Sequence, residues 1–170
     1  AIKGCIVGYD STGSIEGLGG IYLTNCNDNM IGGLLPEERN LINNIRIYSS
    51  QSNKFYGNYI ATDLNGTTAV VGGGASIVRF EAYSQFNRFG DTLSNSGNIV
   101  AGSNLNTALG FYGEHVNNNY VYNNKIGIDA QGTTPIGSYN CGLSLNSSTN
   151  NNYIGAPGHG NLIASANTGV

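Results

Sequence analysis

The sequence predicts an all-β chain folded as a parallel β-helix, a solenoid of about six coils with three short strands in each coil. Two observations support this prediction. A motif of asparagine, any residue and a large apolar residue recurs along the chain, and a short apolar alternation precedes each pair of motifs. The segments between them are rich in glycine and asparagine, which favour tight turns. We therefore expect a single β-helix domain over residues 1–170, either a segment of a longer solenoid or an assembling unit.

The first strand of each unit is a three-residue alternation whose two outer residues are apolar and share one face. A strand this short cannot bury its apolar side alone, so each copy must pair with its counterparts in neighbouring coils. The copies are Ile21-Tyr22-Leu23, Ile45-Arg46-Ile47, Val78-Arg79-Phe80, Leu109-Gly110-Phe111 and Leu143-Ser144-Leu145.

Asparagine introduces the second and third strands of each unit, and the two series alternate along the chain. Each asparagine shares an inward face with the apolar residue two positions later. We expect the stacked side chains to bond one another and the backbone at the bend, as two internal ladders. The first ladder is Asn29, Asn53, Asn87, Asn119 and Asn152, and the second is Asn40, Asn58, Asn98, Asn124 and Asn161.

Long and short coils alternate because every second unit carries an insertion after its third strand. Each insertion opens with an aspartate, at Asp10, Asp63 and Asp129. Because these residues recur with the period of the fold, we interpret them as Asx turns that bind backbone amides. A row of carboxylates suited to inverting hydrolysis is the alternative.

The composition excludes several classes of protein. Only 10% of residues are charged, against about 25% in an ordinary soluble domain, and the net charge is -3 without a basic run. Nucleic acid is therefore not an expected partner. No apolar stretch reaches the roughly 20 residues of a membrane span, so membrane insertion is not expected either. The three cysteines and two histidines lack ligand-like spacing, so we predict no metal site and no cofactor.

These motifs resemble the right-handed parallel β-helix repeats of the pectin-lyase-like superfamily, and more closely secreted repeats reading N-x-I-G-G and N-x-I-G-x-D-x-x-G-T. The residues of this resemblance are Asn29-Met30-Ile31-Gly32-Gly33 and Asn124-Lys125-Ile126-Gly127-Ile128-Asp129-Ala130-Gln131-Gly132-Thr133, with a further copy at Asn152-Tyr153-Ile154-Gly155. The resemblance implies a right-handed coil and an extracellular, cell-surface or virion location. It is specific for fold rather than function, because enzymes, adhesins and viral fibres share such repeats.

Three functions are compatible with these observations. We expect a structural or adhesive segment of an extracellular, cell-surface or viral fibre or spike protein, with glycan binding as an added activity. A polysaccharide lyase or glycoside hydrolase of the pectin-lyase-like fold is the first alternative, and a purely architectural stacking module is the second. Gly158-His159-Gly160 is the one motif shared with pectin hydrolases of this fold, and we interpret it as a glycine turn.

The outward positions of the first strands break the repeat and supply the candidate site. Tyrosines stack on sugar rings, and guanidinium groups bind carboxylates or hydroxyls. Catalytic candidates are Glu81 with Arg79 and Arg46; a mixed polar surface with local ion pairs is the alternative. The candidate glycan-binding residues are Tyr22, Tyr48, Tyr112, Arg46, Arg79 and Glu81.

The outward face of the third strands is mostly apolar, although a solvated face should be polar. We expect it to be covered, by the insertions or by another subunit. A homo-oligomer or a stacking partner would then bind through this face or through the open coil ends. The apolar positions are Leu41, Tyr59, Ile99 and Leu162.

Overall fold

A computed structural model describes residues 1–13, 19–70, 76–102, 105–146, 148–164 and 166–170. Nearly every regular element is a short strand with parallel neighbours, and one turn of 3-10 helix occupies Pro36–Glu38. The predicted all-β parallel β-helix is confirmed. No helix within these ranges has the length and apolar content needed to cross a bilayer.

The first strands form a six-stranded parallel sheet, here called the first-strand sheet. Ile21 lies opposite Ile45, Ile45 opposite Val78, Val78 opposite Leu109, and Leu109 opposite Leu143. The strand positions and register predicted from the sequence are therefore confirmed. The strands are Ile21–Thr24, Ile45–Tyr48, Ser76–Glu81, Leu105–Tyr112, Tyr139–Leu145 and Ala166–Thr168.

Two further parallel sheets contain the strands introduced by asparagine. The second-strand sheet comprises Met30–Gly32, Lys54–Tyr56, Arg88–Phe89, Tyr120–Val121 and Tyr153–Ile154. The third-strand sheet comprises Ile6–Val7, Leu41–Ile42, Tyr59–Ile60, Ile99–Val100, Lys125–Ile126 and Leu162–Ile163. A short additional ladder, not predicted, pairs Val116–Asn117 with Thr149–Asn150 in the turn between the first and second strands.

The core consists of the inward residues of the three sheets, stacked along the coil axis. Phe80 and Phe111 are fully buried and lie in parallel, with ring centroids 4.7 Å apart. Phe89 packs its edge against Phe80 at 6.3 Å. Each buried phenylalanine contributes about 1.5–3 kcal/mol relative to an exposed one, so this aromatic column stabilises the middle coils.

The asparagines introduced above form two columns of side-chain hydrogen bonds. In the inner coils each asparagine donates its backbone and side-chain N–H groups to the side-chain oxygen of the next asparagine, as Asn58 does to Asn98 at 3.0 and 2.9 Å. The same side chain also donates to a backbone carbonyl of the preceding coil, for example from Asn58 to Ile31 at 2.9 Å. The buried polar atoms at the bends are thereby satisfied.

Two more columns run along the turn between the first and second strands, and their members all have positive φ. Backbone hydrogen bonds between coils hold these residues in register. The first turn column is Asn25, Ser49, Tyr83, His115 and Ser148, with φ between 48° and 72°. The second turn column is Asp28, Ser52, Phe86, Asn118 and Asn151, with φ between 53° and 59°.

The insertions fold back over the third-strand sheet. Leu41 is buried, and a Cβ at Gly13 would lie 2.7 Å from its Cδ2 atom. A Cβ at Gly66 would similarly lie 2.9 Å from the ring of Tyr59. Ile99 is buried as well, whereas Leu162 is 45% exposed at an outer coil. The chain itself thus covers part of this apolar face, and contact with a partner through it stays a prediction.

The insertions are held by their aspartates. Asp63 Oδ1 accepts hydrogen bonds from the backbone N–H groups of Thr67 and Thr68 at 2.7 and 3.2 Å. Asp129 accepts equivalently from the Thr133 N–H at 2.8 Å, and the hydrogen bonds from neighbouring backbone amides lower its pKa. These contacts match the Asx-turn interpretation.

Candidate functional site

The candidate glycan-binding residues lie together on the outer face of the first-strand sheet. Tyr22 lies opposite Arg46, and Arg46 lies opposite Arg79 in the next strand. Glu81 and Tyr112 are likewise direct neighbours across two strands. Parallel neighbours are about 4.8 Å apart, so the six side chains occupy one continuous strip over four strands.

Glu81 lies between the two arginines of the strip. Arg46 Nε donates to Glu81 Oε2, and Arg79 Nη2 lies 3.0 Å from Glu81 Oε1. The Glu81 side chain is only 9% exposed, and both of its oxygens are engaged. Glycoside hydrolysis normally uses two carboxyl groups, but Glu81 is the one acid among the outward first-strand positions. The arrangement fits an ion-paired centre that stiffens the sheet and positions Arg46.

Tyr112 is packed into the strip rather than projecting from it. Its hydroxyl lies 2.7 Å from Ser76 Oγ, and Arg79 lies over its ring, 5.3 Å from the centroid. The ring covers Gly110, where an added Cβ would lie 2.3 Å from it. Tyr112 thus fills the space that glycine leaves on this face, and only part of its surface is open to a ligand.

Tyr22 and Tyr48 project into solvent, with 57% and 41% of their surface exposed. They flank Arg46, and together with Thr24 these residues border a shallow depression of about 230 Å³. Two tyrosine rings beside a guanidinium group offer stacking surfaces and hydrogen-bond donors to the same ligand.

Tyr83 and His115 extend this aromatic surface, and neither is among the residues predicted from the sequence. Their rings stack at 5.1 Å, and the Tyr83 hydroxyl donates to Glu114 Oε1 at 2.6 Å. The hydrogen bond to Glu114, together with its negative charge, raises the pKa of Tyr83. The backbone N–H of Ser49, which follows Tyr48, donates to the carbonyl of Ala82, which precedes Tyr83. Tyr48 and Tyr83 are therefore close to each other. We call Tyr22, Tyr48, Tyr83 and His115 the aromatic platform.

The backbone at Tyr83 is unusual for so large a residue, because Asn, Asp and His are the non-glycine residues enriched at positive φ. Seven of the ten members of the two turn columns are the small polar residues Asn, Asp or Ser, and the other three are Tyr83, His115 and Phe86. The left-handed conformation costs roughly 1–2 kcal/mol for most residues with a Cβ. Phe86 is also 46% exposed, so burial explains little of its presence. Departure from a repeat of small polar residues is the signal in the sequence that would have identified these positions, and it becomes visible only once the turns are aligned by the structure.

The second-strand sheet carries a different aromatic column. Arg88 lies 4.6 Å from the centroid of the Tyr120 ring, which in turn stacks on Tyr153 at 5.1 Å. Burial raises the pKa of Tyr56, and its hydrogen bond to Asp91 adds to that rise. Tyr56, Arg88, Tyr120 and Tyr153 occupy regular strand positions, so no backbone strain distinguishes the column from ordinary packing.

Within the described residues, no group of three His, Cys, Asp or Glu side chains converges as a metal site requires. Comparisons of the chain with protein-family models, with curated proteins and with solved structures found no match.

Proposed function

We propose that this chain is a structural or adhesive β-helix segment that binds glycans through its aromatic platform. The observation that supports this function best is the exposure of Tyr83 and His115 at turn positions with positive φ. Small polar residues serve the same turns in other coils, so the fold alone does not account for these rings. Binding of a ligand does account for backbone strain at an exposed site.

The chemistry of the platform suits a saccharide. The apolar face of a pyranose ring packs against tyrosine, while its hydroxyl groups need donors and acceptors at the rim. Arg46 supplies donors beside Tyr22 and Tyr48, and the Glu114 carboxylate supplies an acceptor beside Tyr83. The platform crosses several coils, so it matches an extended chain rather than a single buried molecule.

We further propose that the segment belongs to a β-helix of the pectin-lyase-like type and is part of a secreted, cell-surface or viral fibre protein. Surface glycans are the natural ligands for an adhesive segment in those locations. The low charge of the chain also fits neutral polysaccharides on this face.

A glycan array followed by titration of the best ligand tests the proposal. Tyr48→Ala removes one ring, and Tyr83→Asn removes another while keeping a residue suited to positive φ. Tyr153→Ala is the matched control, because Tyr153 is 49% exposed but lies on the second-strand sheet. We expect about tenfold weaker binding for each platform variant, which corresponds to about 1.4 kcal/mol for the loss of one stacking ring. Unchanged affinity in both, or an equal loss in the control, would contradict the proposal.

The enzymatic alternative is tested with the same samples. A lyase produces an unsaturated uronate that absorbs in the ultraviolet, and a hydrolase produces reducing ends. We expect neither product from acidic or neutral polysaccharides, since both Glu81 oxygens are engaged by arginines. Product formation that disappears in Glu81→Gln would favour the enzyme instead.

A further inference from the structure

A cleft of about 290 Å³ opens on the outer side of the third-strand sheet, on a different face from the aromatic platform. Turns from three coils form its walls, with Leu34 and Pro36 at one side and Gly97 at another. This volume lies near the lower end of the roughly 300–1,000 Å³ found for small-molecule sites. The polar and charged side chains that line it are Arg39, Tyr59, Asn95, Asn123 and Lys125.

The cleft contains two cations without a counter-charge. Of the lysine and arginine side chains in the described residues, Arg39, Lys54 and Lys125 form no ion pair. Arg39 and Lys125 both line the cleft, whereas Lys54 is exposed on the second-strand sheet. No acidic residue lines the cleft; Glu38, whose carboxylate bonds the backbone of Leu34 and Leu35 at the cleft wall, is paired with Lys3. In a chain with a net charge of -3, this is a local concentration of positive charge.

Both cations are half-buried and fixed in place. Arg39 Nε donates to the Gly57 carbonyl at 3.3 Å, and its guanidinium lies 4.1 Å from the centroid of the Tyr59 ring. Lys125 Nζ donates to the Ala130 carbonyl. Each group keeps further N–H donors that these contacts do not use. A partly desolvated cation without an anion is unfavourable, so the site gains most from a negatively charged ligand.

The rest of the cleft is suited to hydroxyl groups. The Asn95 side chain is exposed and makes no hydrogen bond to any part of the chain that the structure describes. Asn123 Nδ2 bonds the Asp91 carbonyl at 2.7 Å and lies 3.2 Å from His159 Nδ1, so the amide is fixed at the wall of the cleft and offers its oxygen as an acceptor. Asparagine amides both donate and accept, as sugar hydroxyls do. A ligand with one anionic group and several hydroxyls satisfies both halves of the site.

We infer that this cleft binds the carboxylate or sulfate group of an acidic saccharide. Arg39 and Lys125 contact the anionic group, and Asn95 and Asn123 contact the ring hydroxyls. The same side chains can bind a carboxylate or a sulfate, because the N–H groups of a guanidinium pair with the oxygens of either anion. The inference goes beyond the proposed function and does not rest on it, since none of the platform residues lines the cleft.

Titrations of the whole chain, followed by amide NMR signals at low ionic strength, test this inference. The probes are glucuronate, glucose 6-sulfate and glucose. We expect saturable shifts at Asn95, Gly97 and Lys125 with at least one of the two anions and about tenfold weaker binding of glucose. The anion that binds more tightly, glucuronate or glucose 6-sulfate, shows whether the cleft prefers a carboxylate or a sulfate. Binding that is equal for glucose, or absent for both anions, would overturn the inference.

Variants separate the cleft from general charge effects. Arg39→Gln and Lys125→Gln should each weaken anion binding by about fivefold or more, and added salt should weaken it further. Lys54→Gln removes the same charge outside the cleft and should leave binding unchanged. The urea midpoint shows whether Arg39→Gln is folded. If it is not, Arg39→Lys, which keeps the positive charge, replaces it as the variant at this position. Tyr83→Asn should bind the anion normally, so failure of the platform and failure of the cleft are distinguishable. Equal losses in Lys54→Gln and the cleft variants would overturn the assignment.

Discussion

Asn53 donates both its backbone N–H and its side-chain N–H to the side-chain oxygen of Asn87, at 3.0 Å each. Asn87 donates in the same way to Asn119, and its side chain also bonds the Ser50 carbonyl at 2.9 Å. All three asparagines are fully buried. One amide side chain therefore serves several polar groups that no water reaches, and this links three successive coils.

Replacing Asn87 by alanine should be among the most destabilising polar changes in this chain. The backbone N–H of Asn53 and the carbonyl of Ser50 would lose partners inside the coil. A buried unsatisfied group costs about 1–3 kcal/mol, so we expect a loss of roughly 3 kcal/mol or more in the free energy of unfolding. Urea denaturation followed by circular dichroism measures it.

Asn29→Ala is the control, because Asn29 stands at the end of the same ladder and is only half-buried. Its side chain donates to Asn53 and to the Asn27 carbonyl, which lies at the surface. The loss there should be about 1 kcal/mol. Similar losses at both positions would show that burial in the ladder does not set the energy.

The sequence was sufficient to predict the strands because asparagine marks each bend and the apolar residue two positions later marks the inward face. Aligning these pairs along the sequence predicted the register, as the pairing of Phe55 with Phe89 shows. The turn columns were not predicted, because residues with positive φ produce no periodic pattern of apolar residues in the sequence. Tyr83 cannot be told from any other exposed tyrosine in the sequence. The cleft that contains Arg39 and Lys125 was not predicted either. The two residues are far apart in the sequence, and only the coiling of the chain brings them to one surface.

Gly90→Ala should disrupt the stacking of coils. Gly90 has a φ of 72°, and a Cβ there would lie 2.0 Å from the carbonyl oxygen of Tyr122 in the neighbouring coil. The backbone cannot yield without breaking the ladder at Asn124, so we expect a loss well above the 1–2 kcal/mol of left-handed strain alone. Thermal or urea unfolding reports the difference.

Gly158→Ala provides the comparison for that variant. Gly158 has nearly the same φ, 74°, but an added Cβ would meet nothing within 4 Å. The strain is therefore the same while the clash is absent, and the cost should stay at about 1–2 kcal/mol. If the two alanine variants were equally stable, close contact between coils would not be the reason for glycine at position 90.

Asn118→Phe tests the backbone strain on which the proposed platform depends. Asn118 occupies the same turn column as Phe86 and has a φ of 58°. A phenylalanine there should cost about 1–2 kcal/mol, because a bulky residue is disfavoured in the left-handed region. Asn118→Gly should change stability by only a few tenths of a kcal/mol, since glycine adopts this conformation freely. A phenylalanine tolerated as well as glycine would remove the argument that Tyr83 and His115 are retained for binding.

Asp91→Asn should reduce the sensitivity of the fold to acid. Burial alone would raise the pKa of Asp91, but hydrogen bonds from Tyr56 and Thr92 and the charge of Arg88 outweigh it and lower the pKa. In the unfolded chain the aspartate carboxyl has a pKa of about 3.9. A lowered folded pKa adds stability above that value, which is lost as pH falls through the folded pKa. The wild type should therefore be the more stable protein at pH 7, and the difference should shrink below about pH 4. Urea midpoints for both proteins between neutral and acid pH measure this, and a constant difference across the range would contradict it.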